Sequence, residues 1–135
     1  MHRLDEASAG AAFWRWAAGE WSGFDAIDHE LYPAAFRRWR GAWSPDCMAP
    51  EARAAFDALS PHSIRAFRGQ DAIGALGLSW TLNRTVAQQF AHGHRGLLNR
   101  TPLVLERVLE KNAIAFAVAD RDDAEIVLFA APIVP

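Results

Sequence analysis

Cysteine is almost missing from this chain: Cys47 stands alone in 135 residues. That excludes an intrachain disulfide and any zinc site built on several thiolates. Lysine is as scarce. Lys111 is the only one among 14 basic residues, and genome composition accounts for this more readily than a need for bidentate anion binding. An excess of charge of one sign is lacking too. A formal net charge of -2 and a pI near 6.2 give no global field for nucleic acid or an anionic membrane. No run approaches the ~20 apolar residues of a membrane span. Met1-His2-Arg3-Leu4-Asp5-Glu6 lacks the basic-then-apolar layout of a signal peptide. The expectation is a cytoplasmic protein with no membrane partner, and an effector delivered into a target cell without a cleavable signal would read the same. Internal repeats and low-complexity segments are absent.

What is present is ordinary globular composition, 51% hydrophobic and 22% charged, enough for one core. The expectation is a single domain over 1–135, helical in 1–60 and β-rich in 61–135. A first helix is expected over Ala7–Trp21, with Phe13, Trp16 and Ala17 on one face. A second runs from Asp28 to Trp43, with Leu31, Ala35, Trp39 and Ala42 on one side and Pro33 in its first turn. A third covers Pro50–Leu59, with Glu51 near its start. Five of the six tryptophans lie here among arginines. Stacking of single-stranded nucleic acid is one reading. Tryptophans filling a core, edged by arginine stems, is the better one for a net-negative chain.

After Pro61 the texture changes. Ser63–Arg68 alternates as a strand, with Ile64, Ala66 and Arg68 on one face and Arg65 and Phe67 on the other. Gly69 follows, and its missing side chain lets a ligand approach the backbone. Leu78–Leu82 is a short strand. Asn83 or Thr81 caps a helix through Thr85–Ala91 whose buried face includes Val86 and Phe90. Leu103–Leu109, Ile114–Val118 and Glu125–Phe129 are three further strands.

Several chemistries fit poorly. His92-Gly93-His94 has metal-like spacing but no third ligand nearby. Cys47 and Ser79 lack the strained Gly-x-Ser-x-Gly elbow of a nucleophilic serine. Asp120, Asp122 and Asp123 read as a solvated turn. Arg68, Ser79 and Glu125 fit better: an anion binder, a hydroxyl and a carboxylate, one from each of three strands. A fixed carboxylate stabilises an oxocarbenium-like transition state, and a guanidinium forks onto phosphate. The combination suits cleavage of a glycosidic bond in an anionic nucleotide. Each residue alone is more often structural.

Phe67-Arg68-Gly69, then Gly77-Leu78-Ser79-Trp80-Thr81 with the Ala87-Gln88-Gln89-Phe90-Ala91 helix, then Asp123-Ala124-Glu125 before an apolar strand, resembles the ADP-ribosyltransferase superfamily. The likeness is to its Arg–Ser–Glu branch, that of cholera-toxin-type and C3-like transferases, and it covers roughly Ser63–Val134. The resemblance implies an α+β fold with a split β-sandwich core behind N-terminal helices. It implies an NAD-dependent transferase that moves ADP-ribose to a protein or nucleic-acid acceptor, as a toxin or effector, and that uses no metal. An antitoxin or immunity protein is an implied partner. Carried over, Arg68 and Gly69 bind NAD, Ser79 and Thr81 match the first and last members of the Ser-Thr-Ser pattern with Ser79 orienting the catalytic glutamate, and Phe90 packs near the nicotinamide. His94, Arg95 and Arg100 lie in the loop that approaches the phosphates. Glu125 promotes nicotinamide departure. Asp123 takes the place of an acceptor-activating glutamate and is shorter, which puts arginine specificity in question. Two alternatives stand beside this: NAD hydrolysis by the same site, and a non-catalytic binding module on the same scaffold.

Overall fold

The structure is a computed structural model that describes residues 3–21, 31–71, 77–92, 102–119 and 124–131. Its architecture is mixed α+β, as expected. Among the described residues there are four α-helices and five strands. Helices α1 (Arg3–Glu20), α2 (Leu31–Arg38) and α3 (Pro50–Asp57) come first, with short 3-10 turns at Arg40–Ala42 and Pro45–Cys47. Strands β1 (Ile64–Asp71) and β2 (Ser79–Thr81) follow, then helix α4 (Arg84–His92). Strand β3 (Pro102–Leu109), a 3-10 turn at Lys111–Ala113, β4 (Ile114–Val118) and β5 (Glu125–Leu128) complete the order. All pairings are antiparallel, in the order β3-β1-β2-β5-β4.

The helical part differs from expectation in which residues it buries. In α1 the buried residues are Gly10, Trp14 and the expected Ala17, followed by Trp21 just beyond the helix, while Trp16 is 49% exposed. In α2 it is Phe36 that is fully buried, and the helix stops at Arg38 rather than running on to Trp43. Apolar side chains stand on every side of α1, so periodicity did not choose its face. The sheet did: Trp21 and Phe36 lie 5.7 and 6.3 Å from the Phe116 ring on β4. Each such side chain, fully buried, contributes ~1.5–3 kcal/mol. Arginines do edge this core. Arg38 lies 4.2 Å over Trp39, and Arg40 lies 3.7 Å over Phe129.

The two sheet edges are treated differently. At β4 the outward backbone is bonded by side chains from the helical part. Trp43 Nε1 donates to Ala115 O at 2.7 Å, and Ala117 N donates to Met48 Sδ at 3.4 Å. That blocks edge-to-edge pairing. The other edge, β3, begins at Pro102 and carries Glu106 and Arg107, which discourage pairing in a different way. No helix among the described residues is long and apolar enough to cross a membrane.

Cys47 is buried beside this core, and loss of solvent pushes its thiol up from 9.0 to about 11. The folded state therefore holds a proton that the unfolded chain releases near pH 9. The resulting stability is intact below that and is lost as pH rises towards 11. Native protein should leave the thiol unmodified by iodoacetamide at about pH 8, and Cys47→Ala should flatten the alkaline fall in melting temperature. Rapid alkylation of the native protein would contradict this placement.

Candidate active site

The site lies where β1 and β2 part. Strand β1 is paired with β3 along its whole length, from Ile64↔Leu109 to Asp71↔Pro102. With β2 it shares one registered pair, Phe67↔Thr81. Just past that pair, the Arg68 guanidinium closes the join: Nη1 donates to Ser79 O at 2.7 Å. Gly77 makes this possible. A Cβ there would lie 2.6 Å from Arg68 Nη2, so any side chain would displace the guanidinium. Trp80, buried at 2% exposure, holds the turn by donating Nε1–H to Gly77 O at 3.1 Å.

Strand β2 then pairs with β5, with Thr81↔Glu125 and Ser79↔Val127 directly opposed. Ser79 and Glu125 are thus diagonal neighbours on one face, a separation that side chains bridge. The Ser79 hydroxyl donates to Glu125 Oε2. Glu125 enters its strand from Ala124, whose φ of 47° is left-handed and costs an alanine ~1 kcal/mol or more. Leu82 N donates to Ala124 O at 3.0 Å and pins that turn. Burial pulls the Arg68 guanidinium below its ordinary range, and the negative charge of Glu125 opposes the shift. Arg68, Ser79 and Glu125 therefore form a single unit: a desolvated cation, a bridging serine and a carboxylate.

No known protein family, curated protein or solved structure matches the chain.

The remaining expected residues divide. Thr81 is buried and its Oγ1 accepts from Asn83 N at 3.0 Å, so it helps launch α4. Asn83 is the cap, its Oδ1 accepting from Thr85 N at 2.9 Å. Phe90 is half-buried on α4, while Val86, Ala87 and Ala91 form that helix's buried side. Gly69 does admit a close approach, but by α4: a Cβ would lie 1.8 Å from Ala87 O and 2.5 Å from Ala91 N. Asp123, His94, Arg95 and Arg100 lie outside the described residues. Among those described, no three His, Cys, Asp or Glu side chains gather as metal ligands. Sequence reasoning assigns no role to two contributors, Gly77 and the indole of Trp80, although both stand in the Gly77-Leu78-Ser79-Trp80-Thr81 motif, which it reads for its two hydroxyls.

Proposed function

We propose that the chain is an NAD-dependent ADP-ribosyltransferase acting on a protein or nucleic-acid acceptor, as a cytoplasmic toxin or effector. One observation carries this: Arg68, Ser79 and Glu125 converge through two hydrogen bonds at the point where β1 leaves β2. The single-pair β1–β2 junction also supports reading the sheet as the split sandwich of that superfamily.

In this reading NAD is the substrate. The bond between nicotinamide nitrogen and ribose C1′ breaks, and its electron pair leaves with nicotinamide. Positive charge then develops on the ribose, where Glu125 stabilises it. The Ser79 hydroxyl holds the carboxylate in one orientation, so little reorganisation accompanies the charge. Arg68 supplies positive charge toward the phosphates and is itself kept charged by Glu125. The acceptor's nucleophile bonds to C1′ and gives up its proton. Water in that place would yield free ADP-ribose, the hydrolase alternative.

The test incubates the purified chain with NAD and a cell lysate, then follows free nicotinamide and ADP-ribosylated macromolecules by mass spectrometry. Nicotinamide release with adducts is expected. Release with free ADP-ribose alone makes the enzyme a hydrolase, and intact NAD overturns the reading.

A further inference from the structure

A cleft of about 370 Å³ opens between the turn that enters β1 and the turn that leaves β3. Ile64 and Leu109 are the end pair of those strands. Arg68 lies four residues further along β1, ~13 Å away at ~3.3 Å per residue, so the cleft is separate from the site above. Its walls are aromatic. Phe56 is buried and Trp43 half-buried, and their rings meet at 6.2 Å with 58° between them. Trp43 is held in place by its bond to Ala115 O, and Pro61 completes the apolar lining.

The two turns are fastened to each other, so the cleft is preformed, as ligand sites mostly are. Lys111 N donates to Pro61 O at 3.1 Å, and Lys111 Nζ donates to Leu59 O at 3.4 Å. His62 Nδ1 donates to Glu110 Oε2. Ser63 takes a left-handed φ of 59°, which costs a serine ~1 kcal/mol or more. That turn carries His62 to the rim of the cleft before β1 begins.

The charges of the cleft say what it would hold. Lys111, the chain's only lysine, has its ammonium 4.8 Å over the Phe56 ring. The adjacent carboxylate, Glu110, is taken by His62, and among the described residues Lys111 makes no ion pair. An ammonium carries three donors, and one is used, on Leu59 O. Packing explains the lysine stem against Phe56. It leaves an unmatched cation at the mouth of an aromatic wedge, with His62 and the exposed Asn112 beside it. A flat ring laid in that wedge meets one wall by its face and the other by its edge, arrangements that aromatic rings favour. The volume, at the low end of the ~300–1,000 Å³ of ligand sites, suits one or two fused rings and not a dinucleotide. We propose that this cleft binds a small planar aromatic anion, its ring against Trp43 and Phe56 and its carboxylate or phosphate on Lys111. Such a ligand binds whether or not NAD is the substrate.

The probe is indoleacetate, titrated into the full chain and followed by NMR of its amide and indole N–H groups. Neutral indoleacetamide carries the same ring, and hexanoate the same charge without a ring. Indoleacetate should shift the Trp43 indole N–H and the Asn112 side-chain amide, and saturate at sub-millimolar concentration. Indoleacetamide and hexanoate should each bind roughly ten-fold more weakly, the scale of one charge-assisted contact or one aromatic pair. Lys111→Met keeps an apolar stem over Phe56. It should weaken indoleacetate by roughly ten-fold and leave indoleacetamide within about two-fold. No shift at millimolar indoleacetate overturns the proposal, and so do shifts that map away from Trp43 and Asn112. Equal binding of indoleacetate and indoleacetamide by wild type overturns it too, even where Lys111→Met folds poorly.

Discussion

Glu125→Gln should abolish nicotinamide release, lowering the rate by roughly 10²–10³-fold, the scale of losing one preorganised electrostatic contact to the transition state. Glutamine keeps the shape and still accepts the Ser79 hydroxyl, so the loss reports charge rather than a broken framework. A second effect follows from the same charge. Burial disfavours the Arg68 guanidinium and Glu125 opposes that shift, so neutralising the carboxylate leaves a desolvated cation with less compensation. Glu125→Gln should therefore also melt earlier than wild type, by a shift on the order of 1–3 kcal/mol in stability. The double variant Arg68→Met with Glu125→Gln should regain part of that stability and none of the activity. The measurements are a nicotinamide-release assay and thermal melts of all three variants. Undiminished release by Glu125→Gln would place the chemistry elsewhere.

The β-rich half was far more legible than the helical half. Strand β4 is found over Ile114–Val118 as read, and β5 begins at Glu125 as read, because alternation and charged turns mark a strand locally. In α1, alanine, phenylalanine and tryptophan point in every direction, so the choice of Trp14 over Phe13 and Trp16 was made by β4, about a hundred residues downstream. The site divides in the same way. Residue types and their order named Arg68, Ser79 and Glu125, but what joins them is non-local. The Ser79–Glu125 bond spans 46 residues, and no window of sequence carries that register. Gly69 shows the limit most plainly. A missing Cβ announces that something approaches closely, and only the packing says that it is a helix.

That packing makes Gly69→Ala the most informative small change in the chain. The added methyl would sit 1.8 Å from Ala87 O and 2.5 Å from Ala91 N, and both are backbone atoms that no rotamer change can move. Helix α4 would have to lift off β1 by more than ~1 Å. It is anchored against that by the Asn83 cap, by the buried Val86, Ala87 and Ala91, and at its start by Arg84 on Glu106. Overpacking of this kind costs about 3 kcal/mol, close to 10 °C in melting temperature for a chain of this size. Gly77→Ala is the contrast. Its methyl would meet the far end of Arg68, 2.6 Å from Nη2, and a flexible side chain can swing aside. The fold should survive with a melting temperature within a few degrees of wild type, while the guanidinium leaves Ser79 O and nicotinamide release falls roughly ten-fold or more. Stability should thus respond to the first glycine and activity to the second. A Gly69→Ala protein that melts with wild type would mean that α4 does not rest its backbone on β1. A Gly77→Ala protein with full activity would mean that the Arg68–Ser79 contact is dispensable to the site.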